Sequence, residues 1–322
     1  MSNSNFRHIV KCIFLFVGLF FLVDTVTSFM LSGMYKKIST GPGKFNYIGK
    51  NQFDVLVMGS STAKAFLSDQ IGSKIDRSIL NVSLDGSSIL FSRCLLDWVT
   101  QNHVAPDMII LGIDLFELHD NAWKGNFFAN IDKLSPLYGR NQLIDQSLTK
   151  DSVLGKLKYS IKSFKFNNIV PSVAIKYFKD DPVYRREKPS EKILSIPVDA
   201  KTVENKFNDY YSPDLQKISL YEDIIATCKK YSISLVFIAP PLYYPDLQQN
   251  QRDIKTENIF REISVKHNIP FYPITIDNYP IFKSNMLFED VLHLNIEGAK
   301  VFSDIVSTII ASHFFQEKGH AN

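Results

Sequence analysis

The hydrophobic pattern changes character along the chain. Cys12 to Val23 (CIFLFVGLFFLV) is apolar without a break and, past Asp24, runs on through TVTSFMLSGMY to Lys36. This supplies roughly the 20 residues a helix needs to cross a bilayer, so residues 1–37 read as a polar tail and a transmembrane anchor. A cleaved signal peptide is the competing reading: Arg7 and Lys11 form a basic start, and Val26-Thr27-Ser28 passes for a small-residue cleavage site. Lys36, Lys37, Lys44 and Lys50 lie opposite Arg7 and Lys11, so charge leaves the topology open. The short tail favours a cytoplasmic start with the rest exported.

From Phe53 the period shortens. Phe53 to Met58 (FDVLVM) is a β-rich run ending at Gly59, and Ser61 to Lys74 follows with helical spacing. The unit recurs as Ser78–Val82 before Ser88–Gln101, as Met108–Ile113, as Ser234–Ala239 before Gln251–His267, and as Pro270–Ile274 before a closing helix Ile296–Phe314. Strands alternating with helices, several of them apolar on both faces, predict an α/β three-layer sandwich with a mostly parallel central sheet. Residues 38–322 form this domain. Within it, about 120–213 is rich in Lys, Tyr, Phe and Asn with weak periodicity and reads as an inserted cap.

Composition narrows the field. Of 322 residues, 45% are hydrophobic and 21% charged, which excludes a disordered or fibrous chain, and the net charge of +3 implies no nucleic-acid partner. Between Lys150 and Lys192, eleven basic residues face five acidic ones, which reads as a solvated basic face or as a surface for lipid headgroups or an acidic glycan. Cys12, Cys94 and Cys228 have neither zinc-site spacing nor the numbers of a disulfide scaffold, so no metal and no cofactor is expected. Cys94 and Cys228 fall in apolar helical patterns, as buried free thiols do.

Ligands of an open parallel sheet bind beyond the carboxyl ends of its strands. The polar residues gather there: Gly59-Ser60-Ser61, Asp85-Gly86-Ser87, Asp114, Tyr243-Tyr244 after a Pro-Pro pair, and Asp290 with His293 before the last helix. Ser61, on a strand-to-helix turn, is placed as an exposed nucleophile beside free backbone N–H donors. An alcohol needs a base at neutral pH, and a histidine oriented by a carboxylate three residues away provides one. The plainer reading of a serine after a strand is a helix cap, a role open here also to Ser60 or Thr62. Tyr243, Tyr244 and Trp123 offer rings for sugar stacking, or simply for packing.

At these residues the chain resembles the SGNH (GDSL-like) hydrolase superfamily. VLVMGSSTAKAF is similar to its first block, NVSLDGSS to its second, IILGIDL to its third, and EDVLHLNIEGAKVFSDIV to its D-x-x-H block. The resemblance covers roughly 53–114 and 233–315. It implies Ser61 as nucleophile, His293 as general base, Asp290 as its orienter, and the N–H groups of Ser61 and Gly86 as oxyanion donors, with Ser60, Asp114, Tyr243 and Tyr244 at the rim.

Two departures stand out. Ser60 replaces the family's Asp before the nucleophile, as in Gly-Ser-Ser variants among membrane-anchored members. Asp114 replaces the third-block Asn, and an ionised carboxylate cannot donate to an oxyanion. Either Asp114 is protonated, or it lies elsewhere and serves structure, or the hole has only backbone donors; the last is preferred. Losing such a donor costs on the order of a hundredfold in rate, which suits transfer to a positioned acceptor.

Membrane-anchored members with Gly-Ser-Ser and Asp-x-x-His include proteins that O-acylate cell-surface polymers, commonly beside a multispanning membrane acyltransferase. The resemblance therefore implies an extracytoplasmic acyl-transfer enzyme, acting on O-acyl, chiefly O-acetyl, groups of a polysaccharide. A carbohydrate esterase or lipase with the same triad, and a non-catalytic accessory binding protein, are the alternatives.

Overall fold

A computed structural model describes residues 3–38, 43–118, 130–178, 213–243 and 251–318. Its elements run in the order α1 (Asn3–Tyr35), α2 (Lys44–Ile48), β1 (Val55–Met58), α3 (Ser68–Ile75), β2 (Ile79–Asn81), α4 (Ile89–Asn102), β3 (Met108–Gly112), α5 (Gln142–Thr149), α6 (Val153–Ser160), α7 (Val170–Phe178), α8 (Leu215–Lys230), β4 (Ser234–Ala239), α9 (Gln251–His267), β5 (Phe271–Pro273) and α10 (Ile296–Lys318). The chain divides into two compact units, Met1–Tyr47 with Ile131–Arg185, and Ile48–Asn130 with Arg186–Asn322.

The second unit holds the sheet. Its five strands are all parallel, in the order β2-β1-β3-β4-β5, the doubly wound order in which the crevice opens between β1 and β3. Val55, Val57, Met108, Ile110, Val236 and Ile238 point to one face, where they meet α3 and α10, with Phe66 edge-on to Phe302 at 4.9 Å. The opposite face carries α8 and α9, and Phe260 lies between Tyr221 and Phe237 at 4.9 and 5.9 Å. Both faces are covered, so the strands need no polar alternation. Each fully buried aliphatic side chain here contributes roughly 1.5–3 kcal/mol.

The expected helix Ser61–Lys74 is broken. Thr62–Ala65 is a single 3-10 turn, Phe66 and Leu67 are extended, and α3 starts at Ser68. Distant side chains take over the backbone groups at the break. Asn81 donates its amide to the Ala63 and Phe66 carbonyls at 2.7 and 3.1 Å, while Ser303 accepts from Leu67 N–H and donates to the Ala65 carbonyl, both at 2.9 Å. These bonds satisfy the carbonyls of Ala63, Ala65 and Phe66 and the N–H of Leu67, so the chain turns without burying those groups unpaired.

In the first unit, α1 contains a segment, Asn5–Tyr35, long and apolar enough to cross a membrane. Its far end is two-faced. Asp24, Ser28 and Tyr35 are buried at helical spacing, whereas Val26, Phe29 and Met30 are exposed. Asp24 accepts from the N–H groups of Lys162 and Ser163 at 2.8 and 2.9 Å, and Ser28 donates to the Lys162 carbonyl at 3.2 Å. One helix thus caps the first donors of the 3-10 turn Lys162–Phe166, whose own cap position, Ile161, has no side-chain acceptor. Tyr35 then packs on Phe166, their rings 6.0 Å apart.

Candidate active site

The turn after β1 is shaped by glycine. Gly59 has φ +145°, and a Cβ there would stand 2.8 Å from the Ala63 Cβ and 3.1 Å from the Gly112 carbonyl. The chain therefore folds tightly over the end of β3. Ser61 occupies the position before the 3-10 turn, yet its hydroxyl makes no capping bond. It lies 2.8 Å from Nε2 of His293 instead.

His293 comes from a loop pinned at both ends. Phe288 and Leu294 form an antiparallel bridge, and the side chain of Asn295 caps α10 by accepting from the N–H groups of Glu297 and Gly298. Within the loop Asp290 accepts from the backbone N–H groups of Leu292 and His293 at 2.8 and 2.9 Å. Both of its oxygens also stand 2.9 Å from Nδ1 of His293. A carboxylate only accepts, so Nδ1 carries the proton and Nε2 is left to receive the Ser61 hydroxyl.

The charges reinforce this tautomer. The Asp290 hydrogen bond raises the His293 pKa; burial opposes it, and the charges of Asp290, Asp114 and Glu289 add to the rise. Burial alone would raise the pKa of Asp290, but the His293 ring and the two backbone N–H groups outweigh it and hold the carboxyl below its usual range.

Asp114 lies next to the nucleophile without facing it as a donor. At 5% exposure, its carboxylate accepts the hydroxyls of Ser60 and Thr62, one on each oxygen. Two of the hydroxyls considered as helix caps are thus bound to β3's loop. Burial raises the Asp114 pKa, against the lowering effects of those two hydroxyls and of His293. Asp114 thus does not lie elsewhere: it lines the cleft and, from there, holds the turn on either side of Ser61.

Gly86, with φ +62°, and Ser61 line the same cleft, together with Ser87, Phe116 and Leu292. The Asp85–Gly86 peptide is held from its carbonyl side by the Asn130 amide at 2.7 Å, and Ser87 donates to the Gly59 carbonyl at 3.1 Å. The cleft offers about 90 Å³.

Glu117 and Lys217, which also line the cleft, belong to a network the spacing did not reveal. Glu117 accepts from Ile89 N–H and from the Tyr221 hydroxyl, both at 2.7 Å, while Lys217 donates to the Glu117 carbonyl at 2.7 Å. Burial, then the charge of Asp114, pushes the Glu117 pKa up to about 7, against the pull of Tyr221, Lys217 and the Ile89 N–H. A Glu three residues after Asp114 was the available signal; Tyr221 and Lys217 lie 104 and 100 residues on.

Tyr243 is not at the rim. It is 8% exposed, in the core beside Phe288 at a ring distance of 5.1 Å, with its N–H on the Val291 carbonyl at 3.0 Å. Neighbouring aromatic side chains make packing the better use of its ring than sugar stacking. Tyr244 and Trp123 lie outside the described residues.

These features define an α/β protein whose Ser, His and Asp converge at the switch point of a doubly wound parallel sheet. No protein-family model and no curated protein matches the chain. Among solved structures it is similar to an acetyl xylan esterase, at 13% identity and a TM-score of 0.40, over 80% of this chain and 99% of that one. It is also similar to a protein described as a platelet activating factor from Streptococcus pneumonia, at 12% identity and a TM-score of 0.39, over 94% and 97% of the two chains.

Proposed function

We propose that the chain is an SGNH-type serine acyl-transfer enzyme that works outside the cytoplasmic membrane, anchored by α1, on O-acetyl groups of a cell-surface polysaccharide. The observation that carries this reading is the relay from Ser61 through His293 to Asp290, at 2.8 and 2.9 Å. Ser61 Oγ attacks the ester carbonyl as His293 Nε2 takes its proton. The oxyanion faces the N–H groups of Ser61 and Gly86, and collapse expels the alcohol, protonated by His293. The acyl-Ser61 ester is then opened by a glycan hydroxyl, or by water in an esterase, with His293 acting again as base.

The small cleft supports a short acyl group such as acetyl, and proximity of a bound acceptor compensates for an oxyanion hole built from backbone donors alone. A multispanning membrane acyltransferase fits as the source of the acyl group.

The test uses the full chain in detergent micelles with an activated acetyl ester, with and without an oligosaccharide acceptor. Acetyl adduct on Ser61 by intact mass, lost in Ser61→Ala, together with turnover lost in His293→Ala, is the expected result. Acetylated acceptor marks a transferase and free acetate alone an esterase. A folded protein with neither adduct nor turnover overturns the catalytic reading.

A further inference from the structure

The first unit contains a helix, α6, whose Tyr159 ring stacks on Tyr138 at 4.4 Å while its aliphatic side chains stay uncovered. In α6 no side chain is buried, and Val153 and Leu157 are 85% and 63% exposed, with Leu154 exposed beside them. Three large apolar side chains uncovered within eight residues mark an interaction surface rather than an ordinary solvated helix. Lysines surround them: Lys150, Lys156, Lys158 and Lys162, against the acidic Asp151, which pairs with Lys156 at 3.7 Å. This is the composition of a helix lying in a membrane interface, apolar side chains inserted and long basic ones reaching the headgroups.

The length of α1 identifies what covers α6. Cys12–Val23 is 12 residues, about 18 Å of helix, against a hydrocarbon core of about 30 Å. Continuing to Met30 gives 19 residues, about 28 Å, and Val26, Phe29 and Met30 present the exposed apolar face that continuation needs. The bilayer-spanning stretch therefore includes Asp24. Asp24 holds the Lys162 and Ser163 N–H groups, and α6 ends at Ser160. An eight-residue helix is about 12 Å long, so α6 lies within about one helix length of a residue at membrane depth.

We propose that α6 rests in the headgroup boundary of the leaflet where the far end of α1 emerges, with Val153, Leu154 and Leu157 inserted among acyl chains and its lysines on anionic lipid. The 131–178 segment is then a foot on the membrane. The proposal rests on the anchoring by α1 and not on the chemistry at Ser61, whose failure leaves it untouched.

The test places a nitroxide on the full chain through Leu157→Cys or Phe16→Cys, each in a Cys12→Ser background that leaves the buried Cys94 and Cys228 unlabelled. The protein is reconstituted in vesicles of phosphatidylcholine with phosphatidylglycerol. Collision rates with oxygen and a nickel chelate are compared with those of the same label on glutathione in buffer. Expected are nickel exclusion at both positions, weaker at 157, and a several-fold rise in nickel access at 157 when Lys156→Glu and Lys158→Glu are added or phosphatidylglycerol is omitted. A label at 157 as open to nickel as the reference overturns the proposal, whatever the label at 16 reports. Exclusion that ignores both the lysines and the anionic lipid overturns the assignment to an anionic surface.

Discussion

Asp114 accepts the hydroxyl of Thr62 on one carboxylate oxygen, leaving the other for Ser60, so the residues on either side of Ser61 are bound to the loop after β3. The carboxylate shapes the nucleophile's turn rather than the oxyanion site. Asp114→Asn is accordingly expected to lower kcat, since one amide edge must face a hydroxyl that now has to accept. Asp114→Ala is expected to lose more, with about 1–3 kcal/mol of stability for each hydroxyl left unpaired. Steady-state kinetics with a thermal melt check this; an Asn variant faster than wild type would place the side chain at the oxyanion after all.

The His293 pKa lies above the ordinary 6.5, with the Asp290 hydrogen bond the largest cause. The base works only when neutral. Activity is therefore present above the raised value and lost as pH falls through it, and the acid limb of a kcat/KM profile is expected above the ordinary histidine range. Asp290→Asn removes that cause, so the limb should move to lower pH while kcat drops on the order of a thousandfold or more. An unmoved limb would assign the titration to another group.

Asn130 acts one step away from the chemistry. By donating to the Asp85 carbonyl it fixes the plane of the peptide whose other end is the Gly86 N–H. Asn130→Ala frees a carbonyl that water can reach but puts alanine at φ +57°, so stability should fall by about 1–2 kcal/mol. If the Gly86 N–H is an oxyanion donor, kcat should still fall, up to the roughly hundredfold of losing one donor, with KM little changed. Equal effects on KM and kcat would point to substrate binding instead.

Glu117 makes stability depend on pH. Its pKa is raised from 4.5 to about 7 in the fold, so the folded state holds the proton more tightly than the unfolded one. The contribution is full below 4.5 and disappears as pH rises through about 7, a change of about 3 kcal/mol at most. Glu117→Gln does not titrate. Denaturant midpoints across that interval should show wild type losing ground to the variant as pH rises, and parallel curves would sink the assignment.

Local pattern located the elements whose cause is local. β4 runs over Ser234–Ala239 and α9 over Gln251–His267, as their apolar runs and bounding turns predict, and all five strands lie where β-rich runs stand. Pattern failed where distant groups decide. Nothing between Ser61 and Lys74 announces that Asn81 and Ser303 will take over the carbonyls and N–H at Phe66–Leu67, and nothing near Tyr243 announces Phe288. Ser61, His293 and Asp290 could be nominated because each follows a strand or opens a helix. The hold of Asp114 on Ser60 and Thr62 requires β1 and β3 to be neighbours, which the strand order supplies and the spacing does not.

The clasp between Asp24 and the amides of Lys162 and Ser163 bears on how the chain can be processed. A peptidase cutting after Ser28 would carry away both the carboxylate and the Ser28 hydroxyl, leaving two donors of a distant turn to find other acceptors. A disposable leader contributes nothing to the mature fold; α1 contributes a cap. The helix that would hold the protein in the membrane is thereby also a structural member of the unit it carries.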